Sequence, residues 1–230
     1  MNILITGANK GIGLELTKLF LQKKENTVIA LSKSSNNLIK LAKSNAKLKI
    51  IKFDLENMSQ LPSQMEGIAK SYKEIDILIN NAGVLYNNAF ENTTYQQLES
   101  SLAVNFKAPY TIIQKLLPQL KKSKSAHIIN ISSIGGVQGS SKFKGLSSYS
   151  PTKAALICLT ECLAEELKGT TISLNSLALG AVQTQMLQSA FPGYKASVSP
   201  KQMAEYIYDF ALTGNKLFNG KVISVSKTNP

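Results

Sequence analysis

Arginine and tryptophan are absent from this chain of 230 residues, which contains one histidine, His127, and two cysteines, Cys158 and Cys162. A structural metal site usually needs four cysteine or histidine ligands, so too few are present and we expect no metal. The two cysteines are four residues apart, which places them on one face of a helix. We expect two reduced and packed thiols, because no further cysteine offers a disulfide framework.

The positive charge of the chain comes from lysine alone. There are 26 basic and 14 acidic residues, a formal net charge of +12, and the lysines are dispersed along the sequence. Arginine makes the bidentate contacts by which proteins read guanine and phosphate, so its absence argues against nucleic-acid binding. A dispersed charge of this kind tunes solubility and attracts anions, such as a phosphorylated cofactor or an acidic carrier protein.

Long apolar runs are also absent, since no stretch approaches the ~18–20 residues that cross a bilayer. A strand-like run begins at Asn2, which leaves no room for the charged, apolar and cleavage regions of a secretion signal. We therefore expect no membrane association and a cytoplasmic location.

What the sequence does contain is an alternation of short apolar runs with segments of helical period, which is typical of an α/β protein. The runs are continuous, as expected for a parallel sheet covered by helices on both faces. Helices are predicted from Ile12, around Leu38–Ala42, and over about 95–121, 150–168 and 201–213. No linker divides the chain, so we expect a single domain. The seven predicted strands are Asn2–Thr6, Thr27–Leu31, Lys49–Phe53, Ile75–Ile79, Ala126–Ile131, Thr171–Leu177 and Lys221–Val225.

The segment Thr6–Gly13, TGANKGIG, joins the first predicted strand to the first helix. Glycines there allow positive φ angles and a close approach of the backbone to a ligand. The helix N-terminus then offers free N–H groups to a pyrophosphate, so the loop predicts a dinucleotide site. The spacing is GxxxGxG where other dinucleotide folds have GxGxxG, and a glycine-rich turn without a ligand is the alternative. The predicted cofactor-binding residues of the loop are Gly7, Asn9, Lys10, Gly11, Ile12 and Gly13.

The end of the second strand lacks the carboxylate that binds the ribose 2′-hydroxyl of NAD, because the sequence there reads Leu31-Ser32-Lys33-Ser34. Ser32 and Lys33 stand where a 2′-phosphate would lie, and Lys10 is close enough to share its charge. The pattern predicts NADP(H) in preference to NAD(H). The alternative is that both lysines are ordinary solvated side chains in a lysine-rich chain.

Tyr149 and Lys153, in the segment YSPTK, fall on one side of a helical turn. Pro151 is tolerated only in the first turn of a helix, so the pair lies near a helix N-terminus. The unperturbed pKa of tyrosine, ~10, is too high for a base at neutral pH, but a nearby ammonium and a positive nicotinamide stabilise the phenolate. Tyr149 is therefore a predicted general acid and base. An ordinary packed tyrosine is the alternative, because YxxxK by itself often arises by chance.

Taken in order, these segments resemble the short-chain dehydrogenase/reductase family over essentially the whole chain. TGANKGIG is similar to its TGxxxGxG motif, Asn80–Gly83 (NNAG) to its second motif, and Tyr149 with Lys153 to its YxxxK motif. The resemblance implies a Rossmann-type doubly wound parallel sheet of about seven strands over 1–230. It also implies that Asp54, with Leu55 beside it, lies next to the adenine. The other cofactor contacts that it implies are Asn81, Ala82, Gly83, Tyr149, Lys153, Gly180, Val182 and Thr184.

The same resemblance implies a catalytic set of four residues, Asn105, Ser133, Tyr149 and Lys153. Ser133, the second of two adjacent serines, would hydrogen-bond the substrate oxygen and stabilise developing charge. Asn105 would hold a water that connects to Lys153. Leu179 stands where the family usually has proline, which puts the rigidity of the following loop in question.

Members of the family often pair two long helices, here about 95–121 and 150–168, into a four-helix interface. We therefore expect a homodimer or homotetramer. Leu156, Leu159 and Leu163 are candidates for the outer face of the second helix, and Leu159 and Leu163 could alternatively be core residues that face the sheet.

The predicted substrate region comprises the loop after Ser133, Val84–Phe90 and a loop region at about 185–200, and it is largely apolar. We expect a small-molecule carbonyl or alcohol that is hydrophobic or neutral, although residues that merely pack a lid give the same pattern. Two alternatives stay open. One is a 3-oxoacyl-carrier-protein reductase, which a basic surface suits, and the other is an NADP(H)-binding redox sensor with little turnover.

Overall fold

Seven strands form one parallel sheet in the order β3-β2-β1-β4-β5-β6-β7. The computed structural model of the chain describes residues 1–227. This sheet confirms the predicted α/β, Rossmann-type doubly wound fold. The strands are β1 (Asn2–Thr6), β2 (Thr27–Ser32), β3 (Leu48–Lys52), β4 (Ile77–Asn80), β5 (Ala126–Ser133), β6 (Ile172–Leu179) and β7 (Lys221–Val225).

The helices differ from the prediction in three places, one of which is the short helix Gln185–Ala190 in the predicted loop region. The long helix expected over 95–121 is interrupted by a π-helical turn, Ala103–Lys107. A helix over Leu61–Ser71 was not predicted, although its buried residues Leu61, Met65 and Ile68 recur at helical spacing. The helices are α1 (Gly11–Leu21), α2 (Asn36–Ala42), α3 (Leu61–Ser71), α4 (Tyr95–Leu102), α5 (Ala108–Lys122), α6 (Ser150–Glu166), α7 (Gln185–Ala190) and α8 (Pro200–Thr213).

Two hydrophobic cores cover the two faces of the sheet, because alternate residues of each strand point to opposite sides. In β1, Ile3 and Ile5 belong to the core that contains Phe20 of α1, and Leu4 belongs to the core that contains Ile112 of α5. All five of these side chains are fully buried, and burial of such a side chain contributes roughly 1.5–3 kcal/mol. Both neighbours of a buried strand residue are therefore apolar, which explains the continuous runs in the sequence.

The strand order places a crevice at the carboxyl end of the sheet. The chain runs outward from β1 to β3 and then returns to place β4 on the other side of β1. The loops that follow β1 and β4 consequently leave the sheet in opposite directions, and ligands of this fold class bind where they diverge. The glycine loop follows β1 at this edge, and Asn80 of the NNAG segment and Ser133 are the last residues of β4 and β5.

The cysteine and leucine side chains of α6 differ in solvent exposure from the prediction. Cys158 and Cys162 are both exposed, so the prediction of packed thiols was wrong. Leu156 and Leu159 are instead buried within the single chain, and Leu163 packs partly buried against the core. Burial within one chain therefore favours an interior place for these leucines over an outer face.

No helix within residues 1–227 combines the length and the apolar character needed to cross a bilayer. In the same part of the chain, no three His, Cys, Asp or Glu side chains are grouped so that they could hold a metal ion. The assignment of 1–230 to one domain stays a prediction.

Candidate active site

The loop between β1 and α1 is held in a conformation that requires glycine. Gly7 and Gly11 have φ angles of +67° and +56°, a region that other residues rarely adopt. A Cβ atom on Gly13 would lie 2.4 Å from the carbonyl oxygen of Gly7, so the loop folds tightly onto the first turn of α1. Lys10, the N-cap residue, makes no capping hydrogen bond through its side chain with any residue of 1–227. The first amide groups of α1 are therefore free to bind an anion.

Asn9 does not line the cleft, although we predicted it as a cofactor contact. It is buried, its Nδ2 donates to Ser34 Oγ at 2.9 Å, and its Oδ1 accepts from the backbone N–H of Asn37 at 3.0 Å. The side chain thus holds the glycine loop against the segment that follows β2. Lys10 does line the cleft, and its Nζ donates to Gln185 Oε1 of α7 at 3.2 Å.

Lys33 lies at the predicted phosphate position, but it forms an ion pair there. Its Nζ is 2.7 Å from Oδ2 of Asp54 and 4.0 Å from Oε1 of Glu56. Burial pushes the pKa of Asp54 up, but the hydrogen bonds from Lys33 and from the Glu56 backbone outweigh it and hold the pKa below its usual value. The hydrogen bond to Asp54 in turn raises the pKa of Lys33. Sequence reasoning missed this pairing, because residues 33 and 54 follow different strands.

The NNAG segment is fixed to the end of β1 by the side chain of Thr6. Thr6 Oγ1 accepts from the backbone N–H groups of Asn81 and Ala82 at 3.1 and 3.0 Å. The Nδ2 atom of Asn81 donates to the Thr6 carbonyl at 2.9 Å, and Asn80 Nδ2 donates to Asn130 Oδ1 of β5 at 2.8 Å. Because the Asn81 amide binds the Thr6 carbonyl beneath the loop, Asn81, Ala82 and Gly83 present mainly their backbone to the cleft.

Tyr149, Ser133 and Lys153 meet below the same cleft. The Ser133 hydroxyl acts on the Tyr149 phenol by lowering its pKa, and Lys153 Nζ lies 5.8 Å from the centroid of the phenol ring. Lys153 Nζ donates to the carbonyl of Ile131 at 2.9 Å, and Ser132 Oγ donates to the Lys153 carbonyl at 2.9 Å. The role of Ser132, which was not predicted, is therefore to hold the backbone of the lysine.

Burial is the main cause of the pKa shifts of Tyr149 and Lys153. It raises the pKa of Tyr149 to about 12, although the hydrogen bond with Ser133 lowers it in part. Burial also lowers the pKa of Lys153 to about 8. The lowered tyrosine pKa that the sequence predicted is not found in the protein itself, because a phenolate enclosed by protein loses its solvation. Tyr149 is thus held as a neutral phenol, the form that donates a proton.

Asn105 occupies the π-helical turn between α4 and α5 and is fully buried. Its Oδ1 accepts from the backbone N–H of Val84 at 2.9 Å, and its Nδ2 donates to the Val84 carbonyl and to Thr152 Oγ1, both at 3.0 Å. A Cβ atom on Gly83 would lie 3.2 Å from Asn105 Oδ1 and 3.5 Å from Lys153 Nζ, so these two polar atoms face the same narrow space. The water that we predicted between them stays a prediction.

The segment after β6 closes the other side of the cleft. The backbone N–H of Gly180 donates to the Val225 carbonyl at 2.9 Å, Val182 is buried, and the methyl group of Thr184 faces Gly11. Thr184 also caps α7, because its Oγ1 accepts from the N–H of Leu187 at 3.2 Å. Leu179, at the usual proline position, continues β6 as its last residue.

These elements enclose a cleft of about 1060 Å³, large for a small-molecule site and sufficient for a dinucleotide together with a small substrate. The three segments predicted to contact substrate contribute apolar side chains to its lining, among them Val84, Phe143, Met186 and Phe191. Within residues 1–227, the charged residues that line it are Lys10, Lys33, Asp54, Glu56 and Lys153. The substrate end therefore offers no charged anchor among the described residues.

Comparison with known proteins agrees with this geometry. The family model described as short chain dehydrogenase matches residues 1–195. A 3-oxoacyl-[acyl-carrier-protein] reductase of Thermotoga maritima is 28% identical, covering 96% of this chain and 94% of the relative. A solved 4-hydroxyisoleucine dehydrogenase complexed with NADH superimposes with a TM-score of 0.87 at 26% identity, covering 98% and 96% of the two chains. The RhlG/NADP complex of Pseudomonas aeruginosa superimposes with a TM-score of 0.84 at 25% identity, covering 98% and 94%.

Proposed function

The chain belongs to the short-chain dehydrogenase family, and on this premise we propose that it transfers hydride between NADP(H) and a neutral carbonyl or alcohol substrate. It is an oxidoreductase of a family whose solved members bind nicotinamide nucleotides. The observation that carries the proposal is one cleft in which a glycine loop suited to a pyrophosphate faces a buried tyrosine–lysine pair. When bound, the nicotinamide ring supplies or accepts the hydride.

The residues of the cleft fit such a nucleotide. Gly7 and Gly11 bring the backbone close to the pyrophosphate position, where the free amide groups of α1 favour negative charge. We assign the nicotinamide half to the backbone of Gly83 and Gly180 and to the side chains of Val182 and Thr184. Lys153 would hold the ribose.

The preference for NADP(H) rests on charge at the end of β2. Lys33 and Ser32 line the cleft there, and the segment itself has no carboxylate that would repel a 2′-phosphate. Lys10 lines the same cleft, where its Nζ donates to Gln185 of α7. The ion pair of Lys33 with Asp54 opposes binding, because a phosphate must compete with it. Lys33 is largely exposed in this pair, and exposed pairs are worth only about 0–1 kcal/mol, so a phosphate that makes charge-assisted hydrogen bonds outcompetes it.

In the reducing direction, we assign the proton donor to Tyr149. Its pKa of about 12 keeps the phenol protonated at neutral pH, and Ser133 beside it provides a second hydroxyl for the substrate oxygen. As negative charge develops on that oxygen, Tyr149 donates its proton and Ser133 stabilises the charge by hydrogen bonding. Lys153, whose pKa of about 8 leaves it mostly charged at pH 7, stabilises the resulting phenolate.

We infer a neutral substrate because the segments predicted to contact substrate provide the cleft lining, among the described residues, with no charged side chain that could bind a charged group of the substrate. Apolar side chains of these segments, such as Phe143 and Met186, line the cleft. An ionised carboxylate or phosphate on the substrate would lose its hydration there without gaining a partner among the described residues. A ketone or aldehyde with an apolar substituent has no such penalty.

Cofactor preference is tested by titrating the protein with NADPH and with NADH while following nucleotide fluorescence. We expect NADPH to bind at least tenfold more tightly, equivalent to about 1.4 kcal/mol. Lys33→Ala should remove most of that difference. Lys124→Ala, at an exposed lysine beside the opposite edge of the sheet, is the matched control and should keep it. Tighter binding of NADH would contradict the preference, and binding of neither nucleotide would contradict the enzyme assignment.

Turnover is tested with ethyl acetoacetate and acetoacetate, which share a reacting carbonyl and differ in charge. We expect kcat/KM to be at least tenfold higher for the ester. Tyr149→Phe should lower kcat by about 100-fold or more with unchanged NADPH binding, because it removes the proton donor. Tyr110→Phe, at an exposed tyrosine of α5, is the control and should leave turnover unchanged. Equal activity of wild type and Tyr149→Phe would contradict the assigned role.

A 3-oxoacyl-carrier-protein reductase is the second candidate, favoured by the Thermotoga maritima relative. Reduction of an acetoacetyl thioester on the carrier protein, but not of the free ester, would favour it. A sensor with little turnover would bind nucleotide and would reduce neither the carrier-bound thioester nor the free ester. The homo-oligomer and the cytoplasmic location stay predictions of the sequence.

A further inference from the structure

Thr152 is buried between the two catalytic candidates of the YSPTK segment, and both hydrogen-bonding functions of its hydroxyl are used. Its Oγ1 donates to the carbonyl of Tyr149 at 2.7 Å. The same oxygen accepts from Nδ2 of Asn105 at 3.0 Å. One hydroxyl therefore joins the backbone of the tyrosine to the side chain of the asparagine.

Asn105 is itself rigidly oriented on the other side of this contact. Its amide oxygen accepts from Val84 N–H and its amide nitrogen donates to Val84 C=O, so the amide has one possible orientation. The second N–H of the amide then points at Thr152. Thr152 thus connects three segments that are distant in sequence: the residue after NNAG, the π-helical turn, and the first turn of α6.

The first turn of α6 needs such a connection. Tyr149 is the N-cap residue and makes no capping hydrogen bond through its side chain with the described residues. Pro151 has no N–H, as the first turn of a helix tolerates, and the one backbone donor to the Tyr149 carbonyl is the N–H of Lys153, at 3.2 Å. On the far side, Lys153 is already held through Ser132 Oγ, which donates to its carbonyl. The Thr152 hydroxyl is the corresponding support on the side of Tyr149.

We propose that Thr152 is a positioning residue, which fixes the helical turn bearing Tyr149 and Lys153 to Asn105 so that the phenol stays aligned with the substrate oxygen. This rests on the proposed role of Tyr149 as proton donor. Thr152 does not touch the substrate, so its contribution is made through the geometry of Tyr149. Displacement of a catalytic group by about 1 Å is sufficient to cost up to 100-fold in rate.

The chain contains a matched control for this hydroxyl in the same helix. Thr160, two turns further along α6, is fully buried, donates to the Leu156 carbonyl at 2.8 Å and accepts from Asn130 Nδ2 at 2.9 Å. A threonine-to-valine change at either position removes one buried hydroxyl and leaves one asparagine N–H without its partner. Both should lower thermal stability to a similar extent, but only residue 152 adjoins Tyr149.

The test compares Thr152→Val, Thr152→Ser and Thr160→Val in steady-state reduction of ethyl acetoacetate across pH. We expect Thr152→Val to lower kcat about tenfold or more and to shift the pH profile of kcat, with KM and the NADPH Kd within about twofold. Thr152→Ser should restore the wild-type values, and Thr160→Val should keep wild-type kcat and pH profile. If Thr152→Val does not fold, Thr152→Ala is measured in its place.

A double-mutant cycle with Asn105→Ala isolates the connection. If Thr152 acts through Asn105, the double variant should lose no more kcat than the worse single variant, so the effects are not additive. Wild-type kcat in Thr152→Val or in the Thr152→Ala that replaces it, equal loss in Thr160→Val, or additive effects would each overturn the role of Thr152 while leaving the proposed function intact. A wild-type protein that binds nucleotide but reduces no carbonyl would instead overturn the proposed function, and the role of Thr152 with it.

Discussion

Acidification should destabilise the folded protein through one buried histidine, His127 of β5. Its Nδ1 lies 3.1 Å from the Ala211 carbonyl and its Nε2 lies 3.1 Å from Nδ2 of Asn175. The amide of Asn175 is oriented by the backbone, since Nδ2 also donates to the Phe218 carbonyl and Oδ1 accepts from the Lys221 N–H. Nε2 of His127 must therefore accept, and a second proton would place two donors against each other.

The size of the effect follows from the pKa. Burial lowers the pKa of His127 from 6.5 to about 4, outweighing the hydrogen bond to Ala211, which raises it. Above pH 6.5 neither the folded nor the unfolded chain binds this proton. Between pH 6.5 and 4 only the unfolded chain binds it, so stability falls as the pH falls. At about 1.4 kcal/mol per pKa unit, the loss reaches about 3 kcal/mol at pH 4, and it levels off below that pH.

The assay is urea unfolding followed by circular dichroism at several pH values between 7 and 4, for wild type and for His127→Gln. Glutamine can donate to Ala211 and accept from Asn175 without titrating, so the variant keeps the contacts and loses the pH dependence. The free energy of unfolding of the wild type should fall by about 3 kcal/mol more than that of the variant over this range. Parallel curves for the two proteins would refute the reasoning.

Three further predictions concern the loop, a surface helix and the thiols. Gly13→Ala should destabilise the fold by about 1–3 kcal/mol and weaken nucleotide binding, because its methyl would overlap the Gly7 carbonyl. Unfolding and nucleotide titration measure the two effects. A variant as stable as wild type would contradict the tight packing. Gly67→Ala, in an exposed turn of α3 with nothing within 4 Å of the added methyl, should stabilise by about 0.5–1 kcal/mol. Cys158 and Cys162 should both react with a thiol reagent in the native protein, Cys162 more slowly because its hydrogen bond with Cys158 raises its pKa, whereas complete protection of either would indicate that a second chain covers this face.

Much of the fold was predictable from residues that are close in sequence. A strand covered on both faces needs apolar residues at every position, so β1, β4 and β5 stand out as continuous runs. The glycine loop was equally predictable from the sequence. A positive φ angle restricts Gly7 to glycine, and close contact with the backbone restricts Gly13 to glycine. The helix α3 was missed because only a narrow stripe of its surface is buried and the rest is polar.

The candidate site was predictable only in part. The order of the motifs along the chain placed Tyr149 and Ser133 at the carboxyl edge of the sheet, and the structure brings both to one cleft. Their ionisation was not predictable, since the pKa of Tyr149 depends on how completely other segments enclose it. The inward turn of Asn9, away from the cleft, was hidden for the same reason, because its partners follow β2.

The sequence by itself determined the class of fold, the family and the positions of the chemical groups, because apolar periodicity and glycine requirements are local properties of the chain. Only the tertiary structure decided which groups meet. Lys33 pairs with Asp54, Thr152 binds Asn105, and Cys158 faces outward rather than inward. Each of these depends on the relative position and rotation of elements that lie far apart in sequence, and that geometry is set by the packing of the whole core.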